Sequence, residues 1–145
     1  MKIMKFVFNR LTIPDVISIT PSLFHDERGY FFEIFHNSIF NQNGINENFV
    51  QDNFSYSKKN VIRGLYFQKN PKAQAKLVTV FSGEIFDVAV DLRKNSSTFG
   101  KCVSEVLSEK NHKSLYIPEG FAHGFCVLSK EATISYKINQ EYSPE

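Results

Sequence analysis

Two cations, a phenol and an amide lie close together in a stretch of sequence that otherwise has the pattern of a buried β-strand. Residues 61–68 alternate as a strand does, yet they include Arg63, Tyr66 and Gln68, and Lys76 follows eight residues later. Buried polar groups must be paired or must contact a ligand. Two positive charges in this setting indicate an anionic ligand, and surface ion pairs are the alternative that the residues leave open.

The histidines are the next candidates for chemistry. His123 follows a turn and enters the apolar segment 120–125, where it is either a hydrogen-bonded structural residue or a group in contact with a substrate. His25, His36 and His112 show no spacing typical of metal ligands. We therefore expect no metal site.

Two aspartates and a tyrosine each allow two interpretations. Asp87 and Asp91 lie four residues apart on one predicted strand, so their side chains point to the same face. They are either an inward acidic pair or the end of a strand tied to Arg93 or Lys94. Tyr136, in another predicted strand, is either packed with its hydroxyl satisfied or a catalytic acid.

The elements that must position these side chains are predicted to be short strands. Runs of alternating apolar residues, bounded by Gly and Pro turns, are predicted strands at residues 6–13, 16–20, 30–35, 49–56, 61–68, 76–81, 84–92, 101–107, 114–117, 122–128 and 132–138. A short helix followed by a loop is predicted within residues 37–48. This pattern, with almost no helix, predicts an all-β antiparallel barrel or sandwich.

Length and composition limit the classes of protein that the chain can represent. Its 145 residues have the length of one domain, which we assign to residues 1–145. A formal net charge of +2 is too small to indicate nucleic-acid binding. No apolar run approaches the roughly 18 residues of a membrane span. Cys102 and Cys126 lack C-x-x-C spacing and are expected to be free thiols, which favours a cytoplasmic location.

Taken together, the ordered blocks of this sequence resemble one enzyme family over nearly the full length of the chain. It is similar to the cupin-like dTDP-4-dehydrorhamnose 3,5-epimerase family at residues 24–33, 51–55, 62–68, 76–78, 83–93, 97–100, 116–125 and 136–144. The resemblance implies a double-stranded β-helix, the cupin-like jelly roll. It also implies a homodimer in which N-terminal strands cross into the partner.

The resemblance implies an activity and a chemistry. Members of the family epimerise C3 and C5 of a dTDP-4-keto-6-deoxyhexose without a cofactor, a step of rhamnose and other deoxysugar biosynthesis for surface polysaccharide. A base removes a proton next to the ketone, the enolate is stabilised, and an acid on the opposite face returns a proton.

The resemblance also implies a role for individual residues. Lys76 would hold the oxyanion at O4, Tyr136 would be the acid, and Arg63 would contact the diphosphate together with Arg28 of a second subunit. It further implies nucleotide contacts by Glu33, Gln51 and Asn53, base contacts by Phe24 and Tyr142, and a position in the site wall for His123.

The sequence departs from the family pattern at the catalytic base. The family has a histidine in R-G-L-H-x-Q, where this chain has Tyr66. A tyrosine side chain, with an ordinary pKa of about 10, costs roughly 4 kcal/mol to deprotonate at pH 7, whereas a histidine is largely a free base there. Nearby cations such as Arg63 and Lys76 favour the anionic form. Because the chain ends at Glu145, we also expect the segment whose aspartate orients the family histidine to be missing.

These departures leave three functions open. The first is an epimerase with reduced or altered activity, acting at one carbon or at both, that uses Tyr66 or Tyr136 as its base. The second is a sugar-nucleotide 3,4-ketoisomerase, which also transfers protons through an enediol. The third is a non-catalytic relative that binds dTDP-sugars.

Overall fold

The computed structural model describes residues 5–145, and within them short strands follow one another with one short helix. In chain order these elements are β1 (Phe6–Arg10), β2 (Ile17–Pro21), β3 (Phe24–Asp26), β4 (Gly29–Phe31), α1 (Asn37–Gln42), β5 (Gln51–Lys58), β6 (Ile62–Tyr66), β7 (Lys76–Ser82), β8 (Glu84–Asp91), β9 (Cys102–Ser108), β10 (Ser114–Ile117), β11 (Phe121–Val127) and β12 (Glu131–Ile138).

The strands form two antiparallel sheets that enclose a shared core. The larger sheet has the order β1-β2-β10-β7-β12-β5 and the smaller one the order β6-β11-β8-β9, while β3 and β4 form a separate hairpin. Buried side chains from both sheets make one cluster, which includes Val78 of β7, Ile134 of β12 and Phe125 of β11. The predicted all-β antiparallel fold is confirmed, in the two-sheet arrangement of a cupin-like jelly roll.

Strand periodicity decides which side chains enter the space between the sheets. In β8, Ile85, Asp87 and Ala89 are buried, whereas Phe86 between them is 40% exposed. Successive side chains of a strand point to opposite faces, so this pattern places Asp87 inside the molecule. The free thiols Cys102 and Cys126 lie in β9 and β11, in agreement with the prediction.

The edge strand β6 lies against β11 at a close glycine contact. A Cβ added to Gly64, whose φ is +135°, would lie only 2.6 Å from the Cα of Gly124. Only glycine combines this backbone conformation with so close an approach. The pairing shifts register here, and it sets Tyr66 opposite His123 and Arg63 opposite Phe125.

Aromatic side chains pack α1 onto β1, the N-terminal edge strand of the larger sheet. Phe40 of α1 is fully buried. Its ring meets those of Phe6, Phe8 and Phe35 nearly edge to face, at centroid distances of 5.1, 5.3 and 4.9 Å. The predicted short helix is therefore confirmed. Among the described residues, no helix has the length and apolar character needed to cross a membrane.

The predicted strand over residues 30–35 is wrong beyond Phe31, where β4 ends. The following side chains make contacts of their own in place of a strand ladder. Glu33 binds the ammonium of Lys5 at 2.7 Å, and Phe35 turns inward to pack on Phe40. Tertiary packing therefore overrides the strand propensity of this aromatic run.

Candidate functional site

A groove of about 850 Å³ opens between the two sheets, where β5, β6, β7 and β12 come together with the C-terminal residues 142–144. Seven residues that the sequence singles out as site residues line it: Arg63, Tyr66, Lys76, Tyr136, Gln51, Asn53 and Tyr142. The fold therefore brings together side chains that lie up to 91 residues apart, as for Gln51 and Tyr142.

The larger sheet positions the residues at the floor of the groove. Tyr136 pairs with Asn53 of β5 and with Val78 of β7, and Lys76 pairs with Ile138. Because Lys76 and Val78 are two residues apart on β7, Lys76, Tyr136 and Asn53 share one face of the sheet. The Lys76 ammonium lies 5.8 Å from the centroid of the Tyr136 ring.

Lys76 is a buried cation that has no direct counter-ion. It is only 8% exposed, and within residues 5–145 its ammonium forms no hydrogen bond or ion pair. Burial lowers the pKa of Lys76 below its ordinary value, and the negative charge of Asp87 partly opposes this effect. Such a group binds an oxyanion more strongly than a lysine in water does, because the desolvated charge is poorly screened.

Arg63 enters the groove from the smaller sheet. Its Nε donates to Oγ of Ser57 at 2.8 Å, and one terminal nitrogen donates to the carbonyl oxygen of Tyr56 at 3.3 Å. These bonds fix the guanidinium, and no carboxylate in the described part of the chain pairs with it. Neither Arg63 nor Lys76 is therefore a surface ion-pair residue, and both are free to bind an anion.

Two glutamines hold the C-terminal residues over the groove. The side-chain oxygen of Gln51 accepts a hydrogen bond from the backbone N–H of Tyr142 at 3.1 Å. That of Gln68 accepts one from Ser143 at 2.9 Å. Gln51 also donates to Asn53 at 2.8 Å, so these contacts order one wall of the groove.

His123 and Asp87 form a buried pair, and His123 lies opposite Tyr66 in the pairing of β11 with β6. Nε2 of His123, a residue only 4% exposed, lies 2.6 Å from Oδ1 of Asp87, which is fully buried. The histidine is thus a hydrogen-bonded residue and not one of the residues that line the groove. Asp91, by contrast, accepts hydrogen bonds from Arg93, as the strand-end interpretation predicts.

Three of the predicted binding residues lie away from the groove of their own chain. Phe24 and Arg28 lie on or between the strands of the β3–β4 hairpin, and Arg28 pairs with Asp26 at 2.7 Å. The carboxylate of Glu33 pairs with the ammonium of Lys5, and its Oε2 lies 2.8 Å from Nδ1 of His36. Its hydrogen bonds with these two groups lower the pKa of the Glu33 carboxyl.

Other residues of the groove and the His123–Asp87 contact were not foreseen. Lining residues that the sequence does not single out include Phe54, Phe67, Gln74, Ile138, Ser143 and Pro144. The alternation of β8 and β11 was a usable signal for the buried pair, since it makes Asp87 and His123 inward. Their pairing depends on a cross-strand register that neither segment specifies alone. No cluster of metal-ligating side chains occurs among residues 5–145.

Comparisons with known proteins give one consistent result. A family model described as dTDP-4-dehydrorhamnose 3,5-epimerase matches residues 10–145. The dTDP-4-dehydrorhamnose 3,5-epimerase of Methanothermobacter thermautotrophicus is 51% identical over 141 residues, covering 97% of this chain and 76% of the relative.

Two solved structures share the fold. That of dTDP-4-dehydrorhamnose 3,5-epimerase from Bacillus anthracis, with TDP and PPi bound, has a TM-score of 0.93 and 45% identity, covering 96% of this chain and 80% of that one. The dTDP-6-deoxy-D-glucose-3,5-epimerase of Legionella pneumophila, in complex with dTDP-4-keto-L-rhamnose, has a TM-score of 0.92 and 46% identity, covering 96% and 74%.

Proposed function

The chain belongs to the dTDP-4-dehydrorhamnose 3,5-epimerase family, and we propose that it is an isomerase that epimerises a dTDP-4-keto-6-deoxyhexose at C3, C5 or both, without a cofactor. In this role it would act in the cytoplasm, in the biosynthesis of rhamnose or another deoxysugar for surface polysaccharide. The observation that carries the proposal is the buried ammonium of Lys76 beside the phenol of Tyr136 at the floor of a groove large enough for a sugar nucleotide.

The chemistry assigns one task to each of these side chains. Removal of a proton next to the C4 ketone moves negative charge onto O4. The Lys76 ammonium stabilises that oxyanion, a contribution that is typically worth about 3–4 kcal/mol for a preorganised donor. Tyr136 then gives a proton to the carbon from the opposite side, which inverts its configuration.

Tyr66 is the proposed base, with reduced or altered activity as the consequence. Support comes from its location: Tyr66 belongs to the smaller sheet and Tyr136 to the larger one, and both line the groove. Inversion needs proton transfer at two opposite faces of one carbon, and phenols from two facing sheets meet that requirement. A tyrosine is nevertheless a rarer base than histidine at pH 7, by about a thousandfold.

The remaining residues of the groove hold the nucleotide in this proposal. Arg63 binds the diphosphate through the terminal nitrogen that has no partner among the described residues. Gln51 and Asn53 contact the nucleoside, and Tyr142, which Gln51 holds in place, stacks on the base. His123, which lies opposite Tyr66 on the neighbouring strand, supports this wall of the groove.

We also propose that the active form is a homodimer with exchange of its N-terminal strands. Phe24 is 37% exposed, and the side chain of Arg28 is 86% exposed on the same hairpin. Both residue types suit a nucleotide, yet their own groove does not include them. A second copy of the chain would use them, together with Glu33, to complete its site.

One observation favours a second candidate function. The tyrosine at position 66 removes the usual base, so the chain would then be a relative that binds dTDP-sugars without converting them. The groove, its two cations and the proposed nucleotide contacts would serve binding alone as well as they serve epimerisation.

A single exchange experiment separates these functions. The protein is incubated with dTDP-4-keto-6-deoxyglucose in D2O, and deuterium at C3 and C5 is followed by NMR. We expect incorporation at one or both carbons. Nucleotide binding by calorimetry without any incorporation would reject the epimerase and leave the binding protein.

A further inference from the structure

Asp87 lies in the interior of the protein, in an environment that an ion does not normally occupy. Its side chain is fully buried on β8 between the inward residues Ile85 and Ala89. One oxygen, Oδ1, bonds His123 at 2.6 Å. The other, Oδ2, is buried and has no hydrogen-bond partner within residues 5–145.

This arrangement is costly for the fold alone. A buried polar atom left unpaired costs about 1–3 kcal/mol, and more when it carries charge. An apolar side chain in the same volume is often neutral or stabilising. The stability of the core therefore does not account for a carboxylate at position 87, and a second role is needed.

The second role lies toward Lys76. Val78, the same-face neighbour of Lys76, packs in one core cluster with Ile85 and Ala89, the same-face neighbours of Asp87, so both charged side chains enter the space between the sheets. The two groups do not approach to ion-pair distance, yet the charge of Asp87 raises the pKa of Lys76 against the larger, lowering effect of burial. Charges interact over several ångströms in a poorly solvated interior, because little solvent screens them.

The other charged or titratable groups around Lys76 do not supply this negative charge. They are Tyr136 from β12, Arg63 and Tyr66 from β6, His123 from β11, and Asp52 from β5. Asp52 is bound to Lys137 at 3.0 Å. None of the others is a carboxylate.

We propose that Asp87 is a positioning residue with two tasks: its Oδ1 holds His123, which lies opposite Tyr66, and its carboxylate is the counter-charge of Lys76 across the interior. The inference rests on the proposed role of Lys76 in the reaction.

The sign of the expected pH effect follows from these charges. Lys76 is useful only while protonated, so activity falls as the pH rises through its pKa. Without the charge of Asp87, burial acts unopposed and the ammonium is lost at lower pH. For each protein, the rate of deuterium exchange into substrate at pH 8.5 is divided by the rate at pH 6.5. We expect this ratio to be at least about tenfold lower in Asp87→Asn than in the unchanged protein.

The matched control is Asp91→Asn. Asp91 is a buried aspartate of the same strand and face, but its carboxylate is already bound to Arg93. We expect this variant to lose stability and to keep the wild-type pH profile.

A direct titration tests the inference without substrate. The ¹³Cε signal of Lys76, assigned by its loss in Lys76→Met, is followed against pH. We expect its midpoint to move to lower pH in Asp87→Asn and not in Asp91→Asn. An unmoved midpoint overturns the inference even if exchange is observed.

A moved midpoint with no exchange in the unchanged protein supports the inference and rejects the proposed function. If Asp87→Asn does not fold, Asp87→Ser, which is also uncharged, is titrated instead. Asp87→Glu, which keeps the charge, should retain the wild-type midpoint, and a midpoint as low as that of the uncharged variant would again overturn the inference.

Discussion

At the scale of single residues, the unpaired charge of Lys76 is the feature on which the proposed chemistry depends most. We expect Lys76→Met to lower the rate of deuterium exchange by about 10²–10³-fold, as loss of one preorganised oxyanion donor does. Unfolding stability should change little, because the desolvation cost of Lys76 and its attraction to Asp87 are lost together. Exchange NMR and thermal unfolding measure the two effects.

Lys137→Met is the control for this change. Lys137 lies on the neighbouring strand and pairs with Asp52 at the surface, so exchange should change less than about twofold. Equal losses in the two lysine variants would contradict the role of Lys76.

Tyr66 gives a prediction of the opposite sign. We expect Tyr66→His to raise the exchange rate at pH 7 by at least about tenfold, because a histidine is largely a free base there and a tyrosine is not. Tyr66→Phe, which keeps the ring and removes the hydroxyl, should abolish exchange. Both rates are measured by deuterium incorporation at saturating substrate. A fully active phenylalanine variant would mean that another group removes the proton.

The sequence predicted individual site residues better than it predicted their partners. Residue type and strand alternation single out Arg63 and Lys76, the family resemblance adds a role for Tyr136, and the fold brings all three to one groove. The contact between Asp87 and His123 could not be predicted in the same way. It depends on the register of β8 against β11, which hydrogen bonding and core packing determine across the whole sheet.

At the scale of elements, the end of β8 is tied down by a charged network around Asp91. Its carboxylate accepts hydrogen bonds from Arg93, Ser96 and Thr98, and Arg93 also reaches Asp15 at 2.8 Å. The bonds from Arg93, followed by those from Ser96 and Thr98, outweigh burial and hold the pKa of Asp91 far below its ordinary value. The network closes the loop at residues 92–100 onto the sheet.

We expect Asp91→Asn to lower the free energy of unfolding by about 3 kcal/mol at pH 7, because it leaves Arg93 without its buried partner. A carboxyl whose pKa is lower in the folded state stabilises the fold above its unfolded pKa, near 4. That contribution is lost as the pH falls toward the folded value. The difference between the two proteins should therefore shrink below about pH 4. Urea unfolding at several pH values checks this, and a constant difference would contradict it.

The elements themselves were predicted unevenly, and the errors have physical causes. The alternating runs in β8 and β12 were found because each has one face in the core, and β7 was found as an apolar run that is buried on both faces over residues 76–80. Residues 30–35 have equal strand propensity, yet only the part that pairs in the β3–β4 hairpin is a strand. Pairing partners, rather than propensity, decided the difference.

At the scale of the whole molecule, the two sheets and the groove between them are built from strands that the sequence predicts. The proposed homodimer needs a separate test. The proposed homodimer requires Arg28 to act in the groove of a second copy. We expect Arg28→Ala and Lys76→Met to be almost inactive when each is purified alone.

Co-expression of these two variants gives the decisive measurement. In a mixed dimer, the subunit that carries Arg28→Ala keeps its own Lys76 and receives Arg28 from its neighbour, so one groove of the pair is complete. Random assembly makes half of the dimers mixed, and exchange should therefore recover to about a quarter of the unchanged protein's rate. Two different affinity tags isolate the mixed dimer, in which the rate should be about half. If Arg28 instead acted in the groove of its own chain, each groove of the mixed dimer would lack either Arg28 or Lys76. The exchange rate of the mixed dimer would then stay at the level of the single variants.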